Sequence, residues 1–386
     1  MHGRALTPPE WELVGRARDF ARRVIAPQAA QWDAAEAPLP RAVVQEWAAL
    51  GLNALQVPAA YGGAGAGFGC RLRVAEALAG ECFASAFALN NMQGSVTRMA
   101  REGSADQIAR HLPALRTGAV VCAPSLTEPG AGSDFGAITT RATRIAGGWV
   151  LDGEKAWITN GAIADQLILY AQTEPGAGLR GIASFIVDLH AAGVERLPAE
   201  RLIGGAAIGA AGVRLTGVRV ADADLFAPAG LAFRRALVGI TGARIHVAAM
   251  LCATVERALR LAVGYAGGRR SFGQALLDHQ GLRWQLADVA TDLEAAKALV
   301  DRAATVFETG ADAQVEAAFA KKFAAGMGTR AIAACMQAMG AAGLRSTHPL
   351  GRHLVAARIA ALVDGTTEIQ NERIGAALAA RYGTPV

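Results

Sequence analysis

The sequence predicts an α+β fold that is mostly helical, with a small β unit between two helical units. Apolar residues recur at three- and four-residue steps over residues 1–117 and again from about 230 onward. The stretch between them consists of short apolar runs separated by Gly, Asp and Pro, which is typical of strands. The last third is long, Ala-rich and poor in turns, which favours a helical bundle. We therefore expect an N-terminal helical domain at 1–117, a β-barrel or β-sandwich domain at 118–228 and a four-helix bundle at 229–386.

The predicted helices of the first unit follow from this periodicity and from helix-breaking residues. The first runs from Trp11 to Ile25, with Pro27 near its end. The others are Val43 to Leu50 before Gly51, Val74 to Ala84, Phe87 to Met99 and Ala105 to Leu115.

The β unit is expected to begin with the apolar run 119–123 and to contain strands at 149–151, 167–170, 182–187 and 212–215, with a hairpin turn at Gly147-Gly148. The bundle helices are expected at 236–263, 282–308, 315–339 and 352–361.

Composition indicates a globular chain. Of 386 residues, 52% are hydrophobic and 18% are charged, and no uninterrupted apolar segment reaches the roughly 18 residues that span a bilayer. Residues 1–10 contain no apolar block, so we expect no secretory signal. The five cysteines are scattered without metal-ligand spacing, so we expect no metal site and a reducing cytoplasm.

The formal charge of +5 suits an anionic ligand. Nucleic acid is the weaker interpretation, because no basic block is interleaved with stacking aromatic residues. No Gly-x-Ser-x-Gly elbow accompanies the histidines, and no Gly-x-Gly-x-x-Gly turn predicts a Rossmann domain.

Two motifs in the β unit contain residues that allow a ligand to approach closely, together with groups that can hydrogen-bond to it. The first, TEPGAGSD at residues 127–134, has glycines that allow close backbone approach and hydroxyls on Thr127 and Ser133. The second, GEKAWITNG at residues 153–161, places the flat indole of Trp157 beside the hydroxyl of Thr159.

Three further motifs lie in the last third. They are YAGGRRSFG at 265–273 followed by His279-Gln280, QAMGAAG at 337–343, and VDGTTEIQ at 363–370.

Together, in this order, the five motifs resemble those of the acyl-CoA dehydrogenase family over almost the whole chain. The resemblance implies that family's fold, FAD as cofactor and the dehydrogenation of an acyl thioester to its 2,3-enoyl form. It assigns FAD contacts to Leu126, Thr127, Gly132, Ser133, Trp157, Ile158, Thr159, Arg269, Phe272, His279, Gln280, Gln337, Gly340, Ala341, Thr366 and Glu368.

The same resemblance implies that Asp364 is the catalytic base that removes the Cα proton, with flavin N5 accepting the hydride from Cβ. The alternative family position for the base, in the helix around Arg244, holds no carboxylate. The substrate contacts implied are Ser133, Thr241, Arg244 and Gly365. We expect the acyl pocket to be lined by ordinary apolar residues.

The chain departs from the family pattern at three matched positions. Asp364 stands where most branches have Glu, which is longer by one C–C bond, about 1.5 Å. Ser271 replaces a Gln and Ala341 replaces a Gly. Two alternatives therefore stay open: an oxidase like the nitroalkane oxidases, which use an Asp base, and a flavin-binding member without catalysis.

The resemblance also implies partners. They are a CoA or acyl carrier protein thioester, an electron-transfer flavoprotein or similar acceptor, and a second copy of the chain in a homodimer or homotetramer, because Arg269 of relatives reaches across an interface. Fatty acid metabolism is the expected setting, with polyketide biosynthesis as another.

Overall fold

The structure is a computed structural model that describes residues 5–383, so the two ends of the predicted domains lie outside the described residues. The N-terminal unit consists of helices joined by short turns. They are α1 (Pro8–Phe20), α2 (Ala26–Ala34), α3 (Arg41–Ala49), α4 (Phe68–Ala79), α5 (Phe83–Glu102) and α6 (Ala105–Thr117).

The first predicted helix continues past Pro27, contrary to the sequence expectation. A π-helical turn at Ala21–Ile25 links α1 to α2, and Pro27 lies in the first turn of α2. A proline cannot donate a backbone hydrogen bond, but a first-turn residue has no intrahelical partner to lose. The register change at the π turn therefore lets the chain stay helical through the proline.

The middle unit is one sheet of eight strands. They are β1 (Cys122–Ser125), β2 (Arg141–Ile145), β3 (Gly148–Ile158), β4 (Gln166–Gln172), β5 (Ile182–Asp188), β6 (Val194–Ala199), β7 (Ala211–Ala221) and β8 (Leu225–Ala227). Their order is β6-β7-β3-β2-β4-β5-β8, and β1 pairs in parallel with β4. Strands β3, β4, β5 and β7 match the predicted runs, whereas β2, β6 and β8 were missed because they are short or mostly exposed.

The predicted hairpin turn lies between β2 and β3, where Ile145 pairs with Gly148 and Gly147 has a positive φ of 74°. A residue with a side chain is disfavoured in that conformation, so Gly147 permits the two-residue turn. The turn starts β3, which is 11 residues long and ends inside the second motif.

Up to residue 383, the C-terminal unit contains five α-helices and a small hairpin. The helices are α7 (Ala232–Gly268), α8 (Gln280–Glu308), α9 (Gln314–Met339), α10 (Leu350–Leu362) and α11 (Thr367–Tyr382), and the hairpin strands are β9 (Arg270–Ser271) and β10 (Gln274–Ala275). The sequence predicted the first four helices, and α11 was missed.

By length and composition, α7 alone among the helices of residues 5–383 is apolar enough to cross a membrane. Of its most apolar 18-residue segment, 67% is buried against the rest of the protein, as expected for a core helix.

The larger of two hydrophobic clusters among the described residues connects the three units. It includes Phe20 and Trp47 from the first unit, Phe185 from the sheet, and Leu251 and Val300 from the bundle. The predicted fold class, a helical unit, a central β unit and a helical C-terminal unit, is confirmed. The domain boundaries at 117/118 and 228/229 stay predictions.

Candidate active site

A cavity of about 250 Å³ lies where α4, α5 and α7 meet the start of the sheet. Its wall includes Phe68 and Phe87, the α7 residues Gly242 and Ala243, and Asp364. Ligand pockets for drug-sized molecules occupy about 300–1,000 Å³. The space therefore suits a short chain.

Asp364 lies in the turn between α10 and α11. Its φ is 52° and that of Gly365 is 95°, so two successive residues have left-handed backbone conformations. Asp and Asn are the side chains best tolerated there after glycine. This turn directs the chain back into α11 and places the carboxyl group at the cavity wall.

Three side chains from three helices hold the backbone of this turn. The Nε of Arg244 on α7 donates to the carbonyl of Asp364 at 2.9 Å. The Nζ of Lys321 on α9 donates to the carbonyl of Gly365, and so does the Nε2 of Gln370 on α11, at 2.8 Å. A Cβ at Gly365 would lie 3.0 Å from a terminal nitrogen of Arg244 and 3.1 Å from Nε2 of Gln370. The glycine therefore allows these groups to close around the turn.

The carboxylate itself has no hydrogen bond from any residue in 5–383: Lys321 and the Nε of Arg244 donate to backbone oxygens, and a terminal nitrogen of Arg244 has no partner among those residues. Burial raises the pKa of Asp364, and the charges of Lys321 and Arg244 offset this only in part. Asp364 is half-buried and lines the cavity. The site therefore holds a carboxylate that is a stronger base than an ordinary aspartate.

Lys321 and Gln370 were missed by the sequence analysis. Lys321 is 1% exposed, and burial lowers its pKa to about 8 against the opposing effect of Asp364. A signal was present: Ala317, Lys321 and Ala324 share the buried stripe of α9 at i, i+4 and i+7, where a lysine is unusual.

The first motif forms the turn that follows β1. Leu126 and Thr127 are half-buried, whereas Gly132 and Ser133 are exposed. A Cβ at Gly132 would have no neighbour within 4 Å, so this part of the loop is open to an incoming molecule.

A buried ion pair, also missed from sequence, fixes this loop to the second motif. Oε1 of Glu128 accepts from Nζ of Lys155 at 2.8 Å and from the backbone amide of Thr140 at 3.0 Å. Oε2 of Glu128 accepts from the amide and hydroxyl of Thr139, at 2.6 and 2.8 Å. Nζ of Lys155 also donates to the carbonyl of Leu126 at 3.1 Å. The two motifs are therefore rigidly joined.

The second motif ends β3 with its aromatic side chain on the surface. Trp157 is 55% exposed with a positive φ of 57°, and Thr159 beside it is half-buried. The side chain of Ile158 is buried in the core, which leaves only its backbone for a cofactor. A large exposed indole in a non-glycine left-handed conformation marks a binding surface.

The remaining predicted cofactor residues lie at the far ends of two helices. Arg269 and the 96% exposed Phe272 follow α7, and Nε2 of His279 is 3.1 Å from the carbonyl of Ser271. The exposed residues Gln337, Gly340 and Ala341 lie at the end of α9, and Gln280 begins α8.

The residues at the ends of α7 and α9 lie far from the residues near Asp364, as the lengths of these helices show. At about 1.5 Å per residue, the end of α7 lies roughly 35 Å along the helix from Arg244. The end of α9 lies roughly 27 Å from Lys321 by the same measure. Thr241, Arg244, Gly365, Thr366 and Glu368 remain near Asp364, so one protomer brings together only part of the predicted set.

The site residues present fit FAD. The indole of Trp157 offers a flat apolar face, the open Gly132 loop allows close approach, and the hydroxyl of Thr159 can hydrogen-bond. Bound FAD supplies a hydride acceptor, and it is the cofactor of this protein. The fold and the site define a flavin-dependent oxidoreductase that acts on a CH–CH bond.

Comparisons with known proteins identify the family. Models of the acyl-CoA dehydrogenase N-terminal, middle and C-terminal domains match residues 7–119, 123–218 and 233–379. An acyl-CoA dehydrogenase of Bacillus subtilis is 33% identical over 92% of this chain and 93% of its own. The chain belongs to the acyl-CoA dehydrogenase family, which confirms the resemblance.

Two solved structures show the same fold. Butyryl-CoA dehydrogenase of Megasphaera elsdenii superposes with a TM-score of 0.90 at 28% identity, covering 97% of this chain and 99% of that one. The prolyl acyl carrier protein oxidase AnaB superposes with a TM-score of 0.91 at 25% identity, covering 97% and 100%.

Proposed function

We propose that the protein oxidises the Cα–Cβ bond of a short acyl thioester and that Asp364 removes the Cα proton. The observation that carries the proposal is the arrangement around Asp364. A carboxylate with a raised pKa faces a small cavity, while Arg244, Lys321 and Gln370 hold its backbone. A base with a raised pKa is better matched to a weakly acidic C–H group.

In this mechanism the residues of the chain position the substrate and move one proton. The acyl group enters the cavity with Cα within hydrogen-bond range of Asp364, about 2.6–3.2 Å. A carboxylate oxygen of Asp364 would take the proton, and bound FAD would supply the acceptor for the hydride from Cβ. Arg244 and Lys321 fix the position of the base, and the enclosing helices exclude water.

We infer that the FAD site is completed by a second copy of the chain. The residues near Asp364 and those beyond the ends of α7 and α9 are too far apart within one protomer to contact one cofactor. A homodimer, or a homotetramer built from such dimers, places Arg269, Phe272, His279, Gln280, Gln337, Gly340 and Ala341 of one protomer at the FAD of its partner.

Family membership and composition support further proposals about cofactor contacts, the substrate arm, the electron acceptor and the compartment. We propose that Leu126, Thr127, Ser133, Trp157, Thr159, Thr366 and Glu368 contact FAD within the protomer. The pantetheine arm of CoA or of a carrier protein lies along Ser133, Thr241 and Gly365. The electrons pass to an electron-transfer flavoprotein, and the five buried free thiols suit the cytoplasm.

The test is bleaching of the bound flavin by acyl-CoA thioesters under anaerobic conditions. Wild-type protein should bleach with a short acyl-CoA, and Asp364→Asn should bleach about 1,000-fold more slowly because the base is gone. Asp364→Glu should keep measurable activity, and it shows whether the shorter side chain is matched to the substrate.

Asp364→Asn must retain the FAD absorbance of the wild type for this comparison to hold. Equal bleaching rates in wild type and Asp364→Asn would exclude Asp364 as the base. Bleaching by nitroalkanes and by no thioester would support the oxidase alternative. A flavin that no tested compound bleaches, together with an unchanged phenotype in Asp364→Asn, would support a non-catalytic role.

A further inference from the structure

The cavity beside Asp364 has polar residues on the side formed by α4, α5 and the loop before α4, in addition to the apolar residues that the sequence leads us to expect. Arg71, Gln56 and Asn90 line that side. The acyl group that such a wall would bind is inferred below on the basis of the proposed function of the site.

Arg71 is held firmly by neutral groups. Its Nε donates to Oδ1 of Asn90 at 2.9 Å, and one terminal nitrogen donates to the carbonyl of the same residue at 2.6 Å. The other terminal nitrogen donates to Oε1 of Gln56 at 3.0 Å. A guanidinium has five N–H donors, so these three bonds orient it and leave two donors over.

No carboxylate compensates the charge of Arg71. Among residues 5–383, none has a carboxylate oxygen within 4.0 Å of its nitrogens, whereas the neighbouring Arg98 pairs with Glu102 at 3.0 Å. Burial, together with the charge of Arg101, lowers the pKa of Arg71 to about 9. Arg71 is partly buried, and a charge withdrawn from water is costly unless it is paired, so this cation favours an anion supplied from the cavity.

The neighbouring helix makes room for the guanidinium. A Cβ at Gly94 on α5 would lie 3.1 Å from a terminal nitrogen of Arg71, which is tighter than most real contacts. Gly94 also lines the cavity. The glycine therefore leaves Arg71 in its present position with a face open to the cavity.

His246 on α7 adds an acceptor to the same cavity. It is 1% exposed, and its Nδ1 lies 2.8 Å from the carbonyl of Gly242, so Nδ1 carries the hydrogen. Nε2 is then an acceptor, and it has no partner among residues 5–383. Burial and the charge of Arg71 hold the pKa of His246 well below its usual value. The ring stays neutral and can accept from a water molecule that enters with a polar ligand.

We infer that the acyl group oxidised at Asp364 ends in a carboxylate, and that Arg71 binds it. The partly buried guanidinium, fixed by Asn90 and Gln56 and open beside Gly94, selects the monothioester of a short dicarboxylic acid over an alkanoyl thioester of equal length. Arg71 is a specificity-determining residue, and Asp364 remains the base for either substrate.

The experiment compares CoA monothioesters of C4–C6 dicarboxylic acids with alkanoyl-CoA of the same chain lengths. For wild-type protein, kcat/KM should favour the best dicarboxylic substrate by about 100-fold, which corresponds to one or two charged hydrogen bonds. Arg71→Met should lose this preference and keep or improve its activity with the alkanoyl substrate.

Arg73→Met is the matched control. Arg73 lies two residues further along the same helix, pairs with Glu76 at 3.0 Å and does not line the cavity. It should leave the preference unchanged. If Arg71→Met does not fold with FAD, Gly94→Ala takes its place, because the added methyl displaces the guanidinium and should reduce the preference at least about tenfold.

A binding measurement separates this inference from the proposed function. In the Asp364→Asn background, the flavin spectrum is titrated with the enoyl-CoA of the dicarboxylic and of the alkanoyl series. Arg71→Met should weaken only the carboxylated ligand. Three results would each overturn the carboxylate assignment and leave dehydrogenation intact. The wild type could prefer alkanoyl thioesters, Arg71→Met could keep the preference of the wild type, or the wild type could prefer ω-hydroxyacyl thioesters.

Discussion

Two carboxylates inside this protein lie near a buried lysine, and their pKa values shift in opposite directions. Burial would raise the pKa of Glu128, but Lys155 and the donors of Thr139 and Thr140 outweigh it and lower the pKa to about 2. Burial raises the pKa of Asp364 in spite of Lys321. A nearby lysine therefore does not by itself decide the charge state of a carboxylate.

The difference lies in where each lysine directs its hydrogen bond. Lys155 donates to the carboxylate of Glu128, whereas Lys321 donates to the carbonyl of Gly365. A charged hydrogen bond to the ionised form stabilises it, and a cation that bonds elsewhere contributes only through space. The Glu128 pair is a structural link between two loops, and the Asp364 arrangement leaves a carboxylate with a raised pKa.

The largest effect should come from breaking the structural pair. Glu128→Gln leaves the ammonium of Lys155 buried without a counter-charge, which costs about 3–5 kcal/mol in free energy of unfolding. Thermal unfolding followed by circular dichroism should show a clear drop in Tm, with loss of FAD because the loops carrying Thr127 and Trp157 separate.

Glu154→Gln is the control for that variant. Glu154 forms a partly exposed pair with Arg214 at 3.0 Å, which should contribute about 0–1 kcal/mol. Similar losses of stability in the two variants would mean that the Glu128–Lys155 pair does not hold the loops.

An intermediate effect, on activity, is expected at the other lysine. Lys321→Met removes a charged hydrogen bond to the Asp364 turn, worth about 1.5–3 kcal/mol, so kcat/KM should fall about 10–100-fold. The charge of Lys321 lowers the pKa of Asp364, so its loss should move the acid limb of the pH–rate profile to higher pH.

Lys322→Met, at the exposed neighbouring position, should leave both the rate and the profile unchanged. A reduced rate in Lys321→Met with an unmoved acid limb would show that Lys321 acts on folding and has no electrostatic effect on the base.

The smallest effect should appear in the pH dependence of stability. The folded pKa of Glu128 lies below its ordinary value of 4.5, so its stabilising contribution is complete above about pH 4.5 and is lost as the pH falls toward 2. Asp364 has the opposite sign: its folded pKa lies above 3.8, so stability is lost as the pH rises through the folded pKa.

Asp364→Asn should therefore raise the Tm at pH 7 and leave it unchanged below pH 3.8. Thermal scans of wild type and both carboxylate variants from pH 2 to 7 measure the two signs together. A lower Tm for Asp364→Asn at pH 7 would mean that the cations around it depend on an ionised Asp364.

Local sequence predicted the regular elements well and their junctions poorly. The helices α7 to α10 follow from apolar periodicity, whereas α11 was missed, and the hairpin at Gly147 follows from a two-residue turn that needs a positive φ. Pro27 was misjudged because a π turn shifts the register before it. Strands β2 and β6 are largely exposed, so they carry little apolar pattern.

The motifs alone led to the family, the cofactor and Asp364, because these depend on residue types at fixed spacing along one chain. Tertiary structure decided what surrounds them. Arg244, Lys321 and Gln370 come from three different helices, and only their packing makes them meet at one turn.

Packing between helices also decides which residues line the cavity. Whether an arginine in an Ala-rich helix faces solvent or a binding site depends on which helices pack against it, and single-sequence patterns do not specify that. Arg71 becomes a cation without a counter-charge beside the acyl cavity only because α4, α5 and α7 meet there. The sequence by itself determined the family and the cofactor, and packing between distant segments decided which charged groups surround Asp364.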